Sequence, residues 1–163
     1  MPRGELETPD TEAAWAQLSE WELAAIREVD QDRLRVERSR VAAWVAERIT
    51  EPTSSTWNRF RDWERLTRRM MRAWAPDGYY VIEEYINDLE IRDALEDVVG
   101  SLDSDTLRGL LTVLDERFIA HTVADGGDEL RPHYRYLRSG AELSWIWYRR
   151  PISLPWWHTS HSR

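Results

Sequence analysis

The 163-residue sequence predicts an all-α fold, a compact bundle of about six helices closed by an irregular or short-strand aromatic C-terminal segment. Three observations predict it. Apolar residues recur at three- and four-residue intervals through most of residues 9–127, the period of a helix with one buried face. Capping and breaking residues punctuate those runs at helix-like lengths. Regularity fails only after "DGG" at 125–127, where aromatics and prolines take over. The length suits one domain with its own core, read as a helical core over 9–127 and a basic, aromatic cover over 128–163.

Thr8 and Asp10 around Pro9 mark the first helix start, because a side-chain oxygen caps and proline suits the first turn. Trp15, Leu18, Ala25, Ile26 and Val29 then share a face. After "DQD" the apolar set Leu34, Val41, Trp44, Val45 and Ile49 continues on a face rotated by roughly 140° at ~100° per residue. One helix over 9–50 would be about 63 Å long at ~1.5 Å per residue, too long for a domain of this size. The expectation is two helices, with Asp30 or Asp32 capping the second.

"EPTSST" separates the next helix, for which Ser54 to Thr56 supply the cap. In residues 57–74, Phe60, Trp63, Thr67, Met70 and Trp74 form an apolar stripe, and "PDG" at 76–78 marks the stop. In "YYVIEEYINDLEIRDALEDVVG", Ile82, Tyr85, Ile86 and Leu89 share one side, while Ile91, Leu95, Val98 and Val99 share another. Asn87 followed by Glu90 has the form of a capping arrangement, so a new helix start is expected there. "YYVI" also has strand character, and Gly100 closes the segment. In "SDTLRGLLTVLDERFIAHT", Leu107, Leu110, Leu111, Leu114 and Phe118 line one face. "ELSWIWYRRPISLPWW" reads as a short strand or as irregular chain pinned by its tryptophans.

Composition excludes much chemistry. All 22 basic residues are arginine, which a bias toward GC-rich codons explains, and without lysine there is no phosphate-loop lysine or Schiff base. Without cysteine there is no disulfide, thiolate nucleophile or cysteine-bound metal. The first residues lack the apolar run of a secretory signal, and no apolar stretch nears the ~20 residues of a membrane span. A soluble, cytoplasmic protein is expected. No phosphate-loop, dinucleotide-binding, HExxH or GxSxG motif occurs. "DSDTLRG" begins like a calcium loop, but Leu107 and Leu114 stand where ligands belong, so it reads as a helix cap.

His158 and His161 have a spacing that zinc accepts, yet a terminal pair without further ligands reads as chance. No metal and no cofactor are expected. His121 lies on an apolar helix face and reads as a core or cap histidine. Adjacent acids such as Glu83 with Glu84 and Asp115 with Glu116 carry little information among 30 carboxylates. An enzyme lacking a recognisable motif would need a convergent cluster, for which His121, Asp115, Glu116 and His133 are the candidates. Trp145, Trp147, Trp156 and Trp157 read as core cover.

The formal net charge of −8 is unevenly distributed. Residues 53–76 hold 6 arginines against 2 acids, and residues 77–130 hold 3 against 15. Arg61, Arg65, Arg68 and Arg72 form a stripe almost opposite the apolar face of their helix. Four readings fit it: nucleic acid, for which arginine suits phosphate; a membrane surface, which the overall acidity opposes; pairing with the chain's own acidic helices; or a partner protein. An acidic helical chain without catalytic signatures reads as a binding or regulatory protein. One version is an immunity or antitoxin protein that neutralises a basic partner through "EEYINDLEIRDALED", with Glu83, Glu84 and Glu90 as contacts. The alternative is a nucleic-acid-associated regulator acting through the arginine stripe. Self-association is the remaining expectation for partners.

Overall fold

In a computed structural model, residues 9–74, 80–124, 130, 132 and 143–153 are described. Their regular structure comprises six α-helices, one 3-10 turn and one two-stranded sheet. In order these are α1 (Asp10–Trp15), α2 (Glu20–Ser39), α3 (Ala43–Ala46), α4 (Thr56–Met71), α5 (Ile82–Ser101), α6 (Asp105–Ala120), β1 (Thr122–Ala124), the 3-10 turn Trp145–Tyr148, and β2 (Arg149–Pro151). The strands run antiparallel, with Thr122 opposite Pro151 and Ala124 opposite Arg149. The mostly helical fold with a short-strand aromatic C-terminal segment is thus present. "PDG", His133, Trp156, Trp157, His158 and His161 lie outside the described residues.

The chain divides into two compact units, residues 1–61 with 95–111, and residues 62–94 with 112–163. In the first unit, Trp15 meets Trp57 and Phe60 edge-on, at ring-centroid distances of 5.0 and 5.7 Å. Ser19 opens α2 with a reciprocal capping box: its Oγ accepts from the Glu22 amide, and Glu22 Oε2 accepts from the Ser19 amide at 2.7 Å. The other Glu22 oxygen accepts from Ser104 Oγ at 2.7 Å, and Ser104 itself caps α6 through the Leu107 amide.

The break between the first two helices therefore falls at residues 16–19, not at "DQD". α2 runs straight through Asp30 and Asp32. Asp30 instead reaches α4, where its Oδ1 accepts from the amide and hydroxyl of Thr56 at 3.0 and 2.8 Å and from Arg33 at 3.3 Å. A polar residue at an inward position interrupts the apolar pattern without interrupting the helix. At the start of α1 the cap position belongs to Pro9, with no side-chain capping bond. Val41 and Trp44, expected on a buried face, are exposed around the four-residue α3.

In the second unit the core is built on Trp63 and Leu66 of α4, Tyr85 and Leu89 of α5, and Leu114 and Phe118 of α6, all at most 1% exposed. Among them lies a buried ion pair. Arg92 Nε and Nη2 donate to Asp115 Oδ1 and Oδ2 at 2.7 and 2.6 Å. Trp63 Nε1 donates to the same Oδ1 at 3.1 Å, and the Arg92 guanidinium lies 5.9 Å from the Trp145 ring centroid. Asp93 holds the 3-10 turn, accepting from Ser144 Oγ and Trp147 Nε1 at 2.6 Å each. Tyr85 donates its hydroxyl to the Arg149 carbonyl at 2.7 Å.

α5 is continuous, so the helix start expected at Asn87–Glu90 does not occur and Tyr80 and Val81 form no strand, while the helix closes at Ser101, one residue past Gly100. Its apparent change of face has another cause. Tyr85, Leu89, Arg92, Leu95 and Val99 are all buried; Arg92 stands seven residues after Tyr85 and seven before Val99, so one buried face runs on through an inward arginine.

α4 ends at Met71, earlier than Trp74, and it ends without glycine. The Ala73 amide donates to the Met70 carbonyl at 3.0 Å and the Trp74 amide to the Arg69 carbonyl at 2.9 Å, the bond pair of a Schellman motif. Ala73 takes the left-handed position at φ 50° and Trp74 follows at φ 65°, a region that side chains bearing Cβ disfavour. Trp74 is held there by a 2.7 Å bond from its Nε1 to the Ser153 carbonyl and by its ring against Tyr80.

Two expected outcomes follow in urea unfolding. Ala73→Gly relieves the left-handed strain and stabilises the chain by about 0.5–1 kcal/mol. Asp115→Ala strands the buried Arg92 charge and costs about 3–5 kcal/mol, whereas replacing both partners together with Arg92→Met and Asp115→Leu costs much less.

Candidate functional site

Between α4 and α5 of the second unit lies a cavity of about 250 Å³. α4 presents Asp62, Arg65, Leu66 and Arg69 to it, one side of the helix at three- and four-residue steps. From α5 come Glu84, Asn87 and Asp88, and from the residues just before α5 comes Tyr80. Leu66 and Tyr80 are buried, so the wall combines an apolar base with charged sides.

The Tyr80 hydroxyl donates to Asp88 Oδ2 at 2.7 Å. Burial pushes the Asp88 carboxyl up to about 7, opposed by the Tyr80 hydrogen bond, reinforced by the charge of Asp62, and opposed by Arg69 and Arg65. The Tyr80 hydroxyl is pushed up as well, first by burial and then by the adjacent Asp88 charge. Arg65 pairs with Asp62 at 3.0 Å, and the Arg69 guanidinium lies 5.4 Å from the Tyr80 ring centroid. A half-buried carboxyl that titrates near neutrality inside a cleft marks a functional-site candidate.

The two residue sets expected from sequence meet at this cavity through Glu84 and Arg65. Glu83, Glu84 and Glu90 are all exposed on α5 and carry no ion pair among the described residues. The arginine stripe is largely engaged: Arg61 lies 5.8 Å from the Trp57 ring centroid, Arg65 pairs with Asp62, and Arg68 pairs with Glu64 at 3.0 Å. Arg72 is exposed. These two ion pairs are within α4 itself, whereas the internal-pairing reading, one of the four, drew on the acidic helices elsewhere in the chain.

The candidate catalytic cluster is not assembled by the described residues. Asp115 is committed to Arg92 and Trp63, Glu116 is exposed, and His121 Nδ1 is bonded to the Arg117 carbonyl at 2.8 Å. Among the described residues no group of three or more His, Asp or Glu is arranged to hold a metal ion, and no helix is long and apolar enough to cross a membrane. Comparison with protein-family models, with curated proteins and with solved structures returns no match.

Sequence reasoning missed Tyr80, Asp88 and Arg69. Asp88 lies inside the acidic run, where it resembles its solvated neighbours, and its special state comes from α4 and Tyr80 closing over it. Arg69 stands one residue off the arginine stripe and turns its guanidinium to a ring.

The pH dependence of stability has a definite sign. Below pH 3.8 the Asp88 carboxyl is protonated in both folded and unfolded chains; between 3.8 and about 7 the unfolded chain has released the proton and the folded chain has kept it. Rising pH therefore lowers stability across that window, and the loss levels off above it. Asp88→Asn removes this slope while keeping an acceptor for Tyr80. Thermal unfolding of both chains from acidic to mildly alkaline pH measures it, and the variant is expected to be the more stable above pH 7.

Proposed function

We propose that the protein is a non-enzymatic binding or regulatory protein that docks a basic protein partner on the exposed acidic side of α5, as an immunity or antitoxin protein does. The supporting observation is an imbalance. Glu83, Glu84 and Glu90 are exposed and carry no ion pair among the described residues, while Arg65 and Arg68 already face carboxylates of their own helix. A charged surface without an internal partner raises encounter rates with an oppositely charged protein and rejects like-charged ones. A cytoplasmic location accords with this reading.

A nucleic-acid role for Arg61, Arg65, Arg68 and Arg72 draws support from the exposure of Arg65 and Arg72. It is the weaker reading, because the intrahelical carboxylates Asp62 and Glu64 lower the positive potential that a phosphate would meet.

Affinity capture of the full chain from its own host, with and without nuclease, followed by binding measurements with the identified protein, separates the two. The expected result is a stoichiometric basic protein that survives nuclease. Its affinity for the Glu83→Gln, Glu84→Gln, Glu90→Gln variant is expected to fall by about tenfold or more, mostly in the association rate at low salt. Unchanged affinity for that variant moves the interface off α5. Recovery that requires nucleic acid and is lost on Arg→Gln replacement of the stripe hands the function to α4.

A further inference from the structure

We infer that the cavity between α4 and α5 receives one arginine side chain of the docked partner, its guanidinium held between Glu84 and Asp88. This rests on the docking reading above and adds a site and a regulation to it. Charge balance selects the occupant. Three carboxylates, Asp62, Glu84 and Asp88, face two guanidiniums, Arg65 and Arg69. Arg65 is held by Asp62 and Arg69 by the Tyr80 ring, so one further cation neutralises the cavity.

Geometry narrows the occupant further. Glu84 and Asp88 stand four residues apart on α5, and side chains at that spacing lie one above the other. Tyr80 bonds Asp88 Oδ2, and Oδ1 accepts no hydrogen bond among the described residues. A planar fork of N–H donors spans two such carboxylates where a compact ammonium meets only one. The volume of about 250 Å³ lies below the ~300 Å³ lower end of small-molecule sites and fits one long side chain. Buried Leu66 offers an apolar base for the aliphatic stem.

The same balance makes recognition depend on pH. Asp88 is faced by Asp62, Arg65 and Arg69 from α4, by Tyr80 from the segment before α5, and by Glu84 on its own helix. With Asp88 protonated the two remaining carboxylates already match the two guanidiniums, and a third cation has no counter-charge. Ionisation of Asp88, whose carboxyl is pushed up to about 7, creates the vacancy. Affinity for an arginine therefore rises by about tenfold from pH 6 to pH 8.

The test uses the full chain, labelled for NMR, titrated with N-acetyl-arginine amide and with its uncharged isostere N-acetyl-citrulline amide. The arginine probe is expected to shift the amides of Leu66, Asn87 and Asp88 saturably, about tenfold more tightly at pH 8 than at pH 6, with the citrulline probe inert. Asp88→Asn is expected to abolish the pH dependence, and exposed Glu84→Gln, which leaves the fold undisturbed, to weaken the probe at both pH values. Equal responses to the two probes, or arginine binding by Asp88→Asn that matches the wild type at both pH values, overturns the inference. The Glu83→Gln, Glu90→Gln variant leaves the cavity lining intact and separates the two readings. If it weakens the partner while Asp88→Asn leaves partner affinity and its pH dependence unchanged, docking on α5 stands and the cavity inference falls. If the probe binds as expected but that variant leaves partner affinity unchanged, docking falls and the cavity site stands.

Discussion

The second unit depends on one ion pair placed where charge is hardest to keep. Arg92 is 4% exposed, and its bidentate contact with Asp115 is shared by the Trp63 indole and covered by Trp145. Each of α4, α5, α6 and the C-terminal segment contributes one group to this cluster. An apolar core tolerates a helix sliding by one turn, because one leucine replaces another. A buried guanidinium does not, since displacement by a turn leaves a desolvated charge costing about 3–5 kcal/mol. The pair thus sets the register of the three helices, and the cavity inherits that register. Arg69 can reach Tyr80, and Asp62 can raise Asp88, only while α4 and α5 keep this alignment.

The same inward polar groups decide how much of the fold was legible. α6 and α4 could be read because apolar residues recur at helical spacing along their buried faces, Leu107, Leu110, Leu111, Leu114 and Phe118 on one and Phe60, Trp63, Leu66 and Met70 on the other. α2 and α5 were divided wrongly for one shared reason. Asp30 and Arg92 occupy inward positions that apolar periodicity reserves for leucine or valine, and each is satisfied by a partner distant in sequence, Thr56 or Asp115. Periodicity treats such a residue as the end of a face. The true start of α2 was legible, since Ser19–Glu22 has the spacing of a capping box. The end of α4 was not, because a Schellman turn built on Ala73 instead of glycine carries no sequence mark.

The candidate site was half legible. Glu84 and Arg65 stood out as members of a charged run and a charged stripe, and both line the cavity. Nothing in the run distinguishes Asp88 from Glu83 or Glu90. Its raised pKa arises from burial and from Asp62 on another helix, both consequences of tertiary packing. Sequence names the charged groups; only packing decides which of them loses water.

The basic helix in an acidic chain can now be understood together with the abundance of tryptophan. Among the described residues four guanidiniums lie over aromatic rings: Arg48 on Trp44, Arg61 on Trp57, Arg69 on Tyr80 and Arg92 on Trp145. A chain of this length ordinarily holds roughly two such contacts, so the excess couples the two compositional oddities. A guanidinium is planar and weakly hydrated, and it can stack on a ring while its edge donates to a carboxylate. Arg92 does both at once, against Trp145 and Asp115. An ammonium group in its place would keep a single point charge and lose the fork. Whatever biased the codons, arginine is the cation that can meet a ring and a carboxylate together; Arg92 does so buried, whereas Arg48 and Trp44 stand exposed.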